Sequence, residues 1–561
     1  MFQNIQTIIL DVNDGEMRAG YSGECSPRYK SNLILGLPLG HNATLKHTIF
    51  PLLPETKRDN VELLYGMKYV YNDNNNSRYD INFEVMEKLF EDISGSKALD
   101  VNFQDHPILL TEPNKTDSKY REKFTELMFE SYNVYQLFLS RRSVLSCYGC
   151  ARTSGLVLNV EKNCTNLCGI YEGYIFQKHI EEVPIGGELI DRIYLSYLEN
   201  TKNIKIYPFF SIDKTSNTEK RNNEIKILKC PLVTKSYYLW GSLHVINQMK
   251  ENLINDYQHP NDKKKKDTNM TDGNNNYKLP DGNIIDQHTS ETLRLIFPYI
   301  FFRKKYNQNS ISKINGLTTL NDINFNLFYD MLRKLKLPVL LKYNYKINNT
   351  NSIIEKIIDN TNEKSSNICY ADQIETYFEI FDGLQDFIKK GILSFISANI
   401  HLDEVLNFLI VTGESTMFHN FVGILKSYLP FIDTIKEKST KIIYSKGADR
   451  RCNCFIGASI LSSLGSFPQF CMTKSEYEEF GVKNIVDKNE LIERGIYPHP
   501  PNCSKGKIVQ TMTNYQRSDT IITSRPFPPV CKQKRDERII RVILSHERSY
   551  LVTSSSTMNR W

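Results

Sequence analysis

Apolar residues along this chain recur with two different periods. "QTIILDV" (residues 6–12) and "EMRAGYSG" (16–23) flank a polar turn and predict paired strands, while "HPILLTE" (106–112) and "LNFLIVTG" (406–413) are nearly continuous apolar runs and predict buried strands. "SKYREKFTELMFESYN" (118–133) repeats its apolar positions at helical spacing behind a serine suited to cap a first turn, and predicts an amphipathic helix. Strands interleaved with helices in this way define an α/β layered fold.

Four polar stretches interrupt the pattern: 72–79, 214–226, 259–277 and 345–366, all rich in Asn, Lys and Ser. Such segments bury little apolar area, so they read as mobile surface loops. Within one of them, Lys263 to Lys266 suits a solvated loop more often than a nuclear import signal. From about residue 490 the chain becomes irregular ("IYPHPPNCSKGK", "SRPFPPVCKQKRDER") and reads as a separate extension.

A weak internal repeat organises the rest. "TIILDVNDGEMRAGYSG" (7–23) and "GLVLNVEKNCTNLCGIYEG" (155–173) share an apolar strand ending in Asp or Asn, a turn, a second strand and a Tyr-x-Gly close. Two such units predict two lobes that each begin with the same hairpin and face one cleft. The second copy carries the loop "NVEKNCTN" (159–166), which has no glycine to let backbone N–H groups approach an anion and is therefore a poor phosphate cradle.

Composition narrows the classes. With 561 residues the chain is long enough for two or more domains, and 70 basic against 64 acidic residues leave a net charge of +6, which is no field for nonspecific nucleic-acid binding. The N-terminus lacks the basic and apolar regions of a signal peptide, and the most apolar run, "LIFPYIFF" (295–302), is too short to span a bilayer, so a soluble intracellular protein is expected. Twelve cysteines in no dense framework fit a reducing compartment. Cys147, Cys150, Cys164 and Cys168 approach zinc-site spacing, but one pair lies in a helical pattern and the other at strand ends, which favours four unligated buried thiols.

Several ordered blocks resemble the actin family: residues 106–155, "GIYEGY" (169–174), "VPIGGELID" (183–191), "LIVTGESTMF" (409–418) and "FIGASILSSLGSFPQFCMTKSEYEEFG" (455–481). "RAGYSGECSPR" (18–28) and "LPDGNIID" (279–286) are most similar to the nuclear branch of the actin-related proteins. The resemblance covers residues 1 to about 200 and 400–489. It implies two lobes around a nucleotide cleft, each a ribonuclease-H-like mixed sheet flanked by helices. The outer lobe would comprise 1–154 and 455–489, the inner lobe 155–454, and 490–561 has no counterpart.

The resemblance also implies a site. Asp11, Gly15, Thr165, Gly186, Gly187, Gly413 and Arg451 match nucleotide-binding positions. Against them, Asn13 and Asp14 replace Gly and Ser in the first hairpin. In the second, Asn159 stands for the metal-orienting Asp, Glu161 and Asn163 for glycines, Lys162 for an Asp and Asn166 for the water-positioning His. Arg142 takes the place of the positioning Gln, and Glu414 replaces a glycine. These departures imply no hydrolysis and no metal, and leave only weak binding of ATP or ADP open. The family packs partner helices in a groove between the lobes, and the matching residues here are Tyr148, Ala151, Gly173, Tyr174, Ile456, Ile460, Leu461 and Leu464. The plainer reading is that residues 456–464 form a core-facing stripe.

A non-catalytic subunit of nuclear chromatin-remodelling or histone-acetyltransferase complexes is then expected, binding a helicase/SANT-associated helix beside actin, without membrane or sequence-specific nucleic-acid contacts. A cytoplasmic actin-like cytoskeletal component is the alternative.

Overall fold

The computed structural model describes residues 6–482 except 14, 41–46, 73–75, 117, 216–223, 254–270, 273–275, 303–382, 398–401, 419–420, 429–439 and 446. The readings of Asp14, Lys263 to Lys266, 345–366 and the extension from 490 lie outside the described residues.

Each predicted hairpin opens a six-stranded mixed sheet. In the first, β1 (Ile8–Val12) pairs antiparallel with β2 (Glu16–Tyr21), which continues to β3 (Tyr29–Asn32). On its other side β1 runs parallel to the buried strand Ile108–Glu112, followed by Gln136–Arg141 and, from far along the chain, Met472–Thr473. The second sheet repeats the plan. Gly155–Val160 pairs antiparallel with Thr165–Tyr171 and parallel with the predicted buried strand Phe408–Thr412. Both hairpins are buried because the parallel neighbour covers one edge and helices cover the faces.

The repeat is visible in the register. Asp11 lies opposite Arg18 in the first hairpin, and Asn159 opposite Asn166 in the second. A separate apolar core lies under each sheet, one including Leu10, Met86, Phe90 and Phe124, the other Leu158, Ile190, Phe297 and Phe421.

Between the sheets, two further strands, β4 (Ile34–Pro38) and β5 (Val61–Tyr65), form a small ladder, as do β6 (Met67–Asn72) and β7 (Asn76–Ile81). The helices that matter for the site are α1 (Phe83–Ser94), α2 (Ser118–Glu126), α3 (Arg142–Gly149), α4 (Gly187–Ser196), α5 (Lys235–Leu253), α6 (Gln287–Phe301), α7 (Leu384–Ser397) and α8 (Asn453–Ser462). The predicted helix of 118–133 ends its regular part at Glu126 and finishes in a wider turn over Leu127–Ser131.

Three of the polar stretches are corrected at their described ends, where the chain pairs in strands; 73–75, 216–223, 259–270 and 273–275 lie outside the described residues. Residues 72 and 76–79 are paired strand: Tyr79 returns on β7, lies edge-on to Tyr69 with centroids 5.3 Å apart, and reaches the Cys164 thiol at 3.5 Å. The ends of 214–226 belong to a ladder joining Ile212–Thr215 to Glu224–Ile227. Segment 259–277 closes on Tyr277, which is fully buried and paired with Thr271 and Ile285. At 72–79 and 259–277 the anchors are aromatic residues, Tyr79 and Tyr277, inside a polar composition whose window average hides them.

The four cysteines part company. Cys147 and Cys168 are buried together and Cys150 packs beside them, whereas Cys164 lies in a separate cluster with Tyr69. Among the described residues no group of three or more His, Cys, Asp or Glu is gathered to hold a metal, and no helix is long and apolar enough to cross a membrane.

Candidate functional site

A cleft of about 1060 Å³ opens between the sheets, lined by residues from both hairpins and from α4, α5 and the turn after Thr412. The resemblance-derived residues gather around it. Gly15, Gly187, Gly413 and Arg451 line the cleft, Asp11 and Thr165 are buried beneath it, and Gly186 packs under the second hairpin.

The floor of the cleft is an ion cluster. Asp11 ends an apolar strand and is fully buried, so its charge needs a partner. Arg142, the first residue of α3, supplies one through Nη1, which also donates to the Val12 carbonyl at 3.1 Å. Its Nε donates to Glu161 Oε1 at 3.0 Å, so one guanidinium joins the first hairpin to the second. Arg18 approaches Asp11 from the neighbouring strand at 3.6 Å. Burial alone would raise the Asp11 carboxyl, but Arg142 and then Arg18 hold it below the usual carboxylate range. The Asn159 amide donates to Glu161 as well.

Four backbone amides around the cleft already have acceptors. Asn13 turns its Oδ1 onto the N–H groups of Gly15 and Glu16, at 2.8 and 2.7 Å. At the second hairpin, Gly187 N–H donates to the Glu161 carbonyl at 3.0 Å and Glu188 N–H to the Lys162 carbonyl at 2.7 Å, so the first amides of α4 serve the hairpin itself. The Lys162 stem crosses the cleft: a Cβ on Gly15 would lie 2.5 Å from its Cδ. Asn166, in place of a histidine, accepts from Asn114 Nδ2 at 2.8 Å. The Asp11 carboxylate is thus neutralised by an arginine, and the amides of Gly15, Glu16, Gly187 and Glu188 already have acceptors.

Two glycines matching the nucleotide site have local reasons to be glycine. A Cβ at Gly186 would meet the Lys162 carbonyl at 2.4 Å, and Gly413 has φ +101° with the Val160 carbonyl 2.2 Å from where its Cβ would be. The far end of the cleft is also ionic. Arg451 pairs with Glu251 at 3.1 Å and Glu414 at 3.4 Å, and Lys250 with Asp191 at 2.6 Å. Burial raises the Asp191 carboxyl to about 6 despite Lys250, while Glu188 falls to about 2 because Arg192 and Lys162 outweigh its burial.

The second set of predicted residues lies on and around α3, α8 and the turn that follows Thr165–Tyr171. Helix α8 packs on α3 by backbone contact: a Cβ at Gly457 would lie 1.7 Å from the Leu145 carbonyl, and one at Gly149 2.3 Å from the Asn453 carbonyl. Asn453 Nδ2 secures the crossing by donating to the Ser146 carbonyl at 2.7 Å. Phe455 and Ala458 carry the core side of α8. Tyr148, Ala151, Gly173, Tyr174, Ile456, Ile460, Leu461 and Leu464 are all half-buried. Leu461 packs against the same core as Phe455, so the 456–464 stripe is divided between core and surface. Tyr148 packs against apolar clusters on both sides, and Gly173 N–H donates to the Thr153 carbonyl at 2.8 Å.

Sequence reasoning missed the bridge by Arg142, the turn-capping role of Asn13 and the crossing of Lys162. One signal was available for the first: a carboxylate ending a continuous apolar strand requires a cation, and arginines stood at 18 and 142.

Two lobes built on repeated hairpins around a cleft define an actin-like protein, and the actin family profile matches residues 2–490. The chain belongs to the actin family. It is similar to actin-related protein 4 of Oryza sativa subsp. japonica, 25% identical over 516 residues that cover 86% of this chain and 98% of the relative. Similarity to actin-related protein 4 of Arabidopsis thaliana is equal, 25% over 515 residues with the same coverage.

Proposed function

We propose that this chain is a non-catalytic, actin-related scaffold subunit of a nuclear chromatin-remodelling or histone-acetyltransferase assembly. An amphipathic helix of a motor subunit lies in the basal groove, with actin as a neighbouring subunit. The observation that carries this reading is the division of α8: Phe455 and Ala458 fill the core with Leu461 and Tyr148 at its edge, while Ile456, Ile460 and, just past the helix, Leu464 stay half-exposed. An apolar groove of this kind recognises a helix through anchors one turn apart. Similarity to relatives called actin-related protein 4 supports the nuclear assignment. The ionic floor of the cleft supports the absence of catalysis, since Asp11 is committed to Arg142 and the hairpin amides to Asn13.

The test is affinity purification of the tagged chain from its own cells, with mass spectrometry. Recovery of chromatin-modifying subunits together with actin is expected. Recovery of cytoskeletal proteins alone would overturn the nuclear reading.

A further inference from the structure

Two ties join the lobes on opposite sides of the cleft. At the floor, Arg142 grips Asp11 of the first sheet and Glu161 at the end of the second sheet's hairpin strand. At the mouth, the small ladder of β4 and β5 is shared between lobes. Leu33 and Leu35 face the first core, whereas Ile34 points the other way, as strand alternation requires. There it meets Leu52, Val61, Leu63, Phe210 and Tyr237 in one buried cluster. Tyr237 lies on α5, whose later residues Val245, Ile246 and Met249 belong to the second core, so a single helix carries the mouth cluster into the opposite lobe. Hydrogen bonds follow the apolar contact: Tyr237 Oη donates to the Thr56 carbonyl at 2.8 Å, Asn60 N–H to the Leu232 carbonyl at 2.7 Å, and Thr234 Oγ1 to the Val61 carbonyl.

Helix α3 connects this closure to the groove. Arg142 is its first residue and Tyr148 lies six residues on, about 9 Å along the axis. A guanidinium at a helix N-terminus is opposed by the helix dipole, so it stays there because two carboxylates hold it. Fixing Arg142 fixes the helix that carries the Tyr148 wall of the groove.

We infer that the protein's own side chains lock the two lobes shut, with Arg142 bridging the floor and the Ile34–Tyr237 cluster clasping the mouth, so that the groove is held at a set width without a bound nucleotide or metal. This conformational device stands apart from the scaffold reading: a locked protein that joined no nuclear assembly would still show it.

Hydrogen–deuterium exchange on the full chain tests it, following peptides at the mouth (56–65 and 230–240) and the groove (148–154 and 170–175). The wild-type chain is expected to protect them to within about twofold whether it is given EDTA, Mg-ADP or Mg-ATP. Leu63→Asp should speed exchange at the mouth at least tenfold, and Arg142→Gln should do so in the groove peptides, while 108–112 and 156–160 stay protected and show that both sheets remain folded. Rescue by a milder variant, Leu63→Met, should return mouth exchange to the wild-type rate. Tenfold or greater protection of the wild-type mouth on adding Mg-ATP would overturn the proposal. So would unchanged exchange in both Leu63→Asp and Arg142→Gln.

Discussion

The hydroxyl of Tyr148 occupies the space where a side chain at Gly173 would begin: a Cβ there would lie 2.2 Å from Oη. Gly173 also has φ +86°, so any side chain there would be strained and would push Tyr148 aside. One aromatic ring from the connecting helix and one tight turn of the second sheet therefore pack together at the wall of the proposed groove. Gly173→Ala should displace Tyr148 and weaken partner capture, with a loss of stability on the order of 1–2 kcal/mol from the left-handed backbone. Pull-down yield and thermal melting of the same variant measure the two effects.

A charge inside the groove should abolish assembly. Leu464→Asp puts a carboxylate where a partner's apolar face would desolvate it, which costs at least about 2 kcal/mol, roughly 30-fold in affinity. Leu464 is only half-buried, so the variant should still fold. Thr165→Ala, beside the cleft, should co-purify with the native partners as the wild type does. A folded Leu464→Asp protein that keeps every partner would refute the groove model.

Hydrolysis should be absent. Purified chain is expected to release no phosphate from ATP above a buffer control, because Asp11 is bound to Arg142 and Asn166 to Asn114. The decisive comparison is with Asp11→Ala: turnover present in the wild type and lost in that variant would show a working site.

Removing the floor cation should be costly. Arg142→Met leaves the buried Asp11 and Glu161 short of a counter-ion, and stability should fall by about 3–5 kcal/mol in denaturant unfolding. Combining it with Asp11→Leu and Glu161→Gln should recover most of the loss, since charge burial and not side-chain volume is the cause.

Acidity should act through Asp191. Its folded value of about 6 lies above the 3.8 of the free carboxyl, so the folded state takes up this proton first. That contribution is fully present below about 3.8 and is lost as pH rises through 6, a difference of about 3 kcal/mol in all. Glu188, with a folded value near 2, contributes in the opposite sense, losing its stabilisation as pH falls from 4.5 towards 2. Between pH 7.5 and 5 only the first operates. Asp191→Asn should accordingly lack the rise in melting temperature that Asp191 adds to the wild type over that interval, read from paired melting curves.

Local pattern carried a large part of this protein. The β1–β2 hairpin, the buried strands at 108–112 and 408–412 and the helix at 118–126 follow from periods of two and 3.6, which neighbours within a few residues determine. The missing glycines of the second hairpin were equally plain, because glycine's freedom belongs to the residue itself. What tertiary structure decided was the pairing of charges and the facing of helices. Arg142 meets Asp11 across 131 residues and Glu161 across 19, contacts set by the order of strands in two sheets and not by any spacing along the chain. Likewise Ile456 and Phe455 are adjacent and both apolar, and only the approach of α8 to the Leu145 backbone, permitted by Gly457, turns Phe455 inward and leaves Ile456 for the groove. Sequence fixes which residues can be buried; the angle at which two elements meet selects which of them are.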